Sequence, residues 1–216
     1  KADWAVTLNL TGDIADLTVA APGERTVLSA DRVRYVLNNA RDFSISLSDQ
    51  FEMLPTVAAD GTRVEIYTFS QAPNSPATVE ALDAAVTSVA MFADLFGPYP
   101  YERILIVEGD FPDGMEFSGM VFVGHNWFQN YNGTPAGYLL LITVHEVAHQ
   151  WWYASVGNDP AVHPWLDEAL ATYSEYIFIE EYYPDLTDWW WSFRVDYFSP
   201  EGFVDAQVYE FGSARE

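Results

Sequence analysis

The chain contains no cysteine, which excludes disulfides and thiolate metal sites. It is also poor in cations. Nine lysines and arginines face 32 aspartates and glutamates, a net charge of −23. Such a surface repels phosphate backbones, so a nucleic-acid partner is not expected. Anionic membrane surfaces are disfavoured for the same reason. Lysine and arginine are absent from Ile104 through Phe193. No apolar run is long enough to span a bilayer, and no signal-like region or initiator methionine opens the sequence. Lys1 to Trp4 leads straight into patterned sequence, so the chain reads as a piece of a longer protein, and the missing targeting segment is uninformative.

What is present supports a substantial core. Half of the 216 residues are hydrophobic and 16% are aromatic, enough for one large or two modest domains. Residues 1–72 read as β structure. Trp4 to Leu10, Arg32 to Leu37, Asp42 to Ser48 and Arg63 to Phe69 alternate in character, and Gly12-Asp13, Pro22-Gly23, Asn38-Asn39 and Asp60-Gly61 punctuate them. This predicts an antiparallel sheet or sandwich. Gln71 to Pro76 is the expected boundary. Ser75 can cap a helix with Pro76 in its first turn, and Leu82, Val86, Val89, Phe92 and Phe96 fall on one stripe before Gly97-Pro98. Strands are expected at Arg103 to Glu108 and Gly119 to Gly124. A β region followed by mixed strands and helices predicts an α+β protein.

The chemistry concentrates in His145-Glu146-Val147-Ala148-His149. Residues i and i+4 share a helix face, so both imidazoles can reach one metal ion, with Glu146 beside it to hold a water. The preceding run, Leu139 to Val144, is apolar enough to predict a helix buried on most sides. Burying two histidines and a glutamate is costly unless something such as a metal compensates. A catalytic zinc ion usually takes three protein ligands. Glu168, after an eighteen-residue gap with loop signals at Asn158-Asp159-Pro160 and His163-Pro164, is the third candidate, and His163 is an alternative. Pro164 would sit in the first turn of a helix that runs to Tyr183.

The His145–His149 motif, its gap, and Trp-Leu-x-Glu-Ala-x-Ala-x-Tyr from Trp165 to Tyr173 resemble the gluzincin aminopeptidases of the membrane alanyl aminopeptidase and leukotriene hydrolase family. The likeness is good over residues 77–183, and Phe96-Gly97-Pro98-Tyr99-Pro100-Tyr101 is similar to a further family segment. It implies one zinc ion on His145, His149 and Glu168, with Glu146 as general base. It also implies a thermolysin-like catalytic domain over residues 73–216, incomplete at its C-terminus, after the end of a saddle-like β domain over residues 1–72. Asp113 to Phe117 resembles the family's Gly-x-Met-Glu-Asn strand. Met115 and Glu116 match, whereas Asp113 and Phe117 replace the Gly and Asn. Glu116 then inherits the grip on the substrate's free amino group. Val208-Tyr209-Glu210-Phe211-Gly212 resembles the Tyr-x-x-Gly stretch, with Phe211 where a lysine often precedes the glycine, which makes Tyr209 the candidate catalytic tyrosine; a tyrosine beyond Glu216 is the alternative. The implied partner is a peptide with a free N-terminus, and an extracytoplasmic or membrane-anchored parent protein is favoured.

Other residues carry weaker signals. His125 is read as a hydrogen-bonded strand-end histidine, with cleft lining as the alternative. Glu175 falls seven residues after Glu168, where it can support a ligand histidine or face solvent. Trp189-Trp190-Trp191 with Phe193, Tyr197 and Phe198 reads as core packing, with a hydrophobic subsite or a docking surface for a missing C-terminal part as the alternatives. Two other functions compete with the aminopeptidase: a catalytically silent zinc-bearing module, and a zinc endopeptidase without the amine anchor.

Overall fold

The computed structural model describes residues 1–12 and 17–197. Its strands are β1 (Ala2–Asn9), β2 (Thr18–Ala20), β3 (Glu24–Ser29), β4 (Arg32–Ala40), β5 (Ser46–Ser48), β6 (Glu52–Val57), β7 (Arg63–Thr68), β8 (Arg103–Gly109), β9 (Gly114–Phe117) and β10 (Met120–Gly124). Its helices are α1 (Pro76–Phe96), α2 (His125–Gln129), α3 (Tyr138–Ala148), α4 (Trp165–Tyr182) and α5 (Thr187–Trp190). The mixture is α+β, as expected.

Two small antiparallel sheets come first, one in the order β1-β4-β3 and one pairing β2 with β5. The main sheet is five-stranded and mixed, in the order β6-β7-β8-β10-β9. The strands β7, β8 and β10 run parallel, and β6 and β9 are antiparallel edges. Pro55 lies in β6, an edge where a missing N–H is tolerated. The sheet crosses the expected boundary at residue 72, because β7 pairs with β8 from Arg63↔Arg103 to Tyr67↔Val107. Arg103 strengthens that link. It is 7% exposed and donates to Glu65 (2.8 Å) and to the Gly23 (2.8 Å) and Ala21 carbonyls.

The strand expected from Asp42 to Ser48 shortens to β5. Asp42 is taken out of any ladder by its carboxylate, which accepts from the Ser118 N–H (2.7 Å) and the Tyr153 hydroxyl (2.6 Å).

Both faces of the main sheet are covered, so β8 and β10 are buried along their whole lengths and read as continuous apolar runs. On one face Ile66, Ile104, Ile106, Val121 and Val123 pack with Val89, Phe92, Leu140, Leu141 and Val144 of α1 and α3. On the other, Leu105, Val107, Met120 and Phe122 meet Ala20 and Phe51. The α1 ends are those predicted. The Ser75 hydroxyl accepts from the Thr78 N–H (3.2 Å), a cap worth about 1 kcal/mol. Gly97 ends the helix at φ 109°, a conformation that favours glycine.

Candidate metal centre and substrate cleft

The helix α3 is buried from Leu139 to Ala148 because its sequence is apolar all round, and this desolvates its two polar residues of interest. His145 is 6% and Glu146 5% exposed, and His149 caps the helix at 1%. The chain then kinks at Trp152 and Tyr153, where regular helical dihedrals fail. The helix α4 returns alongside and brings Glu168 to the pair.

The donor atoms converge. His145 Nε2 lies 3.0 Å from His149 Nε2 and 3.1 Å from Glu168 Oε2, and His149 Nε2 lies 4.0 Å from the same oxygen. A tetrahedral zinc site with bonds of about 2.0–2.1 Å separates its ligands by roughly 3.3–3.4 Å, so the triangle has the right scale. The other ring atoms are already committed. His145 Nδ1 donates to Glu175 Oε1 (2.7 Å) and His149 Nδ1 donates to the Trp152 carbonyl (3.2 Å). Those bonds place the ring protons on Nδ1 and leave both Nε2 lone pairs and a carboxylate oxygen facing one another. Three acceptors at this separation require a cation between them or a proton on one ring, so the residues fit a metal. Among the described residues, His145, His149 and Glu168 form one group able to hold an ion. Glu116, Glu146 and His149 form a second that shares His149.

Without an ion the rings divide the burden. Burial works to lower the His145 pKa, but hydrogen bonds to Glu168 and Glu175 prevail and raise it to about 10. Burial and the neighbouring His145 lower His149 to about 4. Burial also pushes Glu146 well above the usual carboxylate range. Its Oε2 is buried and finds no partner among the described residues, as suits a group waiting for a proton donor. Gly114 leaves the room Glu146 occupies, for a Cβ there would overlap its carboxylate.

Glu175 was expected either to face solvent or to support a ligand histidine, and it lies against His145 Nδ1. Its side chain is fully buried. Besides His145 it accepts from Arg194 Nε (2.8 Å), from a second Arg194 nitrogen, and from Trp190 Nε1 (3.3 Å). Burial would raise its pKa, but His145 and Arg194 together hold it below the usual range. Arg194 went unremarked in the sequence. The available signal was its isolation as the first cation after Arg103.

The cleft beside these residues has a volume of about 640 Å³ and is lined by Met115, Glu116, Asp167 and Arg194 as well as by His145, Glu146 and Glu168. Met115 and Glu116 lie on edge strand β9, and burial raises the Glu116 pKa. Gln150 fastens this strand to the histidine segment, accepting from the Gly119 N–H (2.8 Å) and donating to the Phe117 carbonyl (3.0 Å). A second tie comes from Arg41, stacked 4.1 Å over the Tyr153 ring and donating to the Tyr153 (3.2 Å) and Asn158 (3.0 Å) carbonyls. A larger hollow, about 810 Å³, lies by Asp60, Arg63, Asp94 and Glu102 and holds none of the predicted site residues.

The remaining candidates resolve as follows. His163 is exposed and outside both metal groups. His125 opens α2, meets buried Glu108 at 2.7 Å and stacks on Phe69, the hydrogen-bonded role expected. Trp190 is core, whereas Trp191 is 43% exposed. Phe198 and Tyr209 lie outside the described residues.

The profile of the Peptidase family M1 domain matches residues 80–209. Among curated proteins, Aminopeptidase M1-A of Oryza sativa subsp. japonica is 31% identical over 146 residues, 64% of this chain and 16% of that protein. Aminopeptidase M1-B of the same organism is 32% identical over the same shares. Human Endoplasmic reticulum aminopeptidase 1 is 30% identical over 143 residues, 63% of this chain and 15% of that protein. The chain thus spans about a sixth of the length of these relatives.

Proposed function

The chain belongs to peptidase family M1, the gluzincin aminopeptidases its motifs resemble, and from that premise we propose that it carries the zinc-binding and amine-binding side chains of an aminopeptidase. One observation carries the reading: His145 Nε2, His149 Nε2 and Glu168 Oε2 converge while both Nδ1 atoms are engaged elsewhere. These three side chains would hold one zinc ion. When bound, the ion supplies a Lewis acid and lowers the pKa of a coordinated water.

The chain's own groups do the rest. Glu146, dry and with a raised pKa, takes the proton of the attacking water and passes it to the departing amine. Glu116 holds the substrate's ammonium, and Met115 lies beside it on the strand that runs along the peptide. The amine anchor then sets cleavage one residue in. The strongly acidic stretch free of lysine and arginine favours a cationic N-terminus. Tyr209 is proposed as the oxyanion-stabilising tyrosine. We assign residues 73–216 to a thermolysin-like catalytic domain, with the β6–β7 hairpin contributed to its sheet by the preceding β region. The substrate is a peptide with a free N-terminus. The parent protein is proposed to be extracytoplasmic or membrane-anchored. Among the described residues, no helix is long and apolar enough to cross a membrane.

The test is metal content together with turnover of aminoacyl chromogenic substrates. One zinc per chain, inhibition by a chelator and loss of turnover when the substrate's amine is acylated are expected. Cleavage of acylated substrate at the same rate would replace the aminopeptidase by an endopeptidase. A zinc-loaded chain without turnover would make it a binding module.

A further inference from the structure

Two carboxylates that line the cleft, Asp113 and Asp167, have no task in the proposed reaction, and Asp167 is the buried one of the two. Asp167 precedes Glu168 in the first turn of α4, is 3% exposed and lines the same cleft as Glu116 and His145. Its Oδ1 is satisfied by Asn158 Nδ2 (3.0 Å) and the Glu168 N–H (3.2 Å). Its Oδ2 is buried and finds no donor among the described residues. A buried anionic oxygen without a donor is costly to keep, and its retention calls for a partner.

Asn158 Nδ2 is shared between Asp167 and the His163 carbonyl (3.0 Å), and the Asn158 Oδ1 is itself buried and unpartnered. Arg194 is clamped on Glu175, and Arg41 on two carbonyls. A ligand in the cleft that Asp167 lines can supply the missing donor. Asp167 and Glu168 both act on Glu116, adding to the effect of its burial. The three carboxylates thus form one anionic patch. With Glu168 committed to the metal, Glu116 and Asp167 remain, and an ammonium has three N–H donors to distribute.

We propose that Asp167 is a second amine-binding residue, its Oδ2 accepting from the substrate ammonium held by Glu116. This rests on the aminopeptidase reading and adds a specificity determinant to it. Two anionic acceptors discriminate against substrates lacking the charged amine more strongly than one can, since each charge-assisted hydrogen bond to a desolvated carboxylate contributes separately.

The probes are leucinamide and its desamino analogue 4-methylpentanamide, bound to the zinc-loaded chain and measured calorimetrically. Asp167→Asn keeps an oxygen for Asn158 and the Glu168 N–H but turns an N–H₂ toward the amine. It is expected to weaken leucinamide roughly 10- to 100-fold and to leave the desamino analogue within about two-fold. The ratio of the two affinities is internal to each sample, so partial unfolding or partial zinc loss does not mimic the result. An unchanged ratio in Asp167→Asn overturns the proposal. The underlying reading fails separately: Glu116→Gln retaining the wild-type ratio would remove the amine anchor itself.

Discussion

Glu175→Gln is the most direct perturbation of the centre that leaves its three donors in place. Glutamine matches the shape of glutamate but has one oxygen, and Glu175 serves donors on both. If the amide oxygen turns to Arg194, the amide N–H₂ faces His145 Nδ1. The ring must then accept there and carry its proton on Nε2, the atom aimed at the ion. Either way the amide is neutral and Arg194 loses its counter-charge; if the oxygen turns to His145, the N–H₂ also opposes Arg194 Nε. Removing a carboxylate behind a ligand histidine typically costs 10- to 100-fold in metal affinity, about 1.4–2.8 kcal/mol. Stranding a buried charge costs about 3–5 kcal/mol, and since Arg194 keeps 16% of its side chain in water we take about 2–3. Competition with a chromogenic chelator at neutral pH reads the first effect, and urea unfolding of the metal-free chain reads the second. The sign with pH is fixed. The Glu175 pKa is depressed by folding, so its contribution is full above the unfolded value, about 4.3, and is lost as pH falls through the lower folded value. The stability gap between wild type and variant should therefore close on acidification. A variant with zinc affinity within three-fold of wild type and an unchanged urea midpoint would refute the argument.

Three further outcomes are expected. Glu146→Gln should bind zinc with unchanged stoichiometry but turn over roughly 10²- to 10⁴-fold more slowly; full activity in that variant would remove the base assignment. Only the Glu116 anion holds an ammonium, so kcat/KM for free-amine substrates should fall on acidification as Glu116 protonates, and Glu116→Gln should abolish that limb. Phe92→Ala empties a fully buried site between α1 and the sheet and should cost about 3–5 kcal/mol in urea unfolding with zinc stoichiometry retained; a loss under 1 kcal/mol would show that the core there is loosely packed.

Local signals in the sequence were legible. The cap at Ser75, the stripe along α1 and the stop at Gly97 are consecutive features of one segment, and the structure has them as expected. The same holds for the buried α3, whose apolar run announces itself. The spacing from His149 to Glu168 was readable because a loop and a returning helix are the economical way to bridge it. What escaped depends on distant partners. Asp42 looks like a strand residue until Ser118 and Tyr153, 76 and 111 positions away, claim its carboxylate. The strand β6 is masked by Pro55, which only an edge position excuses. Arg194 gives no local hint that it will meet Glu175.

The grip of Arg103 on Glu65, Gly23 and Ala21 sets where this polypeptide can be shortened. A version begun at residue 73 would strip the neighbour from β8 and bare a row of amide groups to self-association. It would also remove all three acceptors of the Arg103 guanidinium. The segment that carries the candidate metal residues is therefore expected not to separate cleanly between Gln71 and Pro76, and a shorter form is expected to need the chain from Ala20 onward.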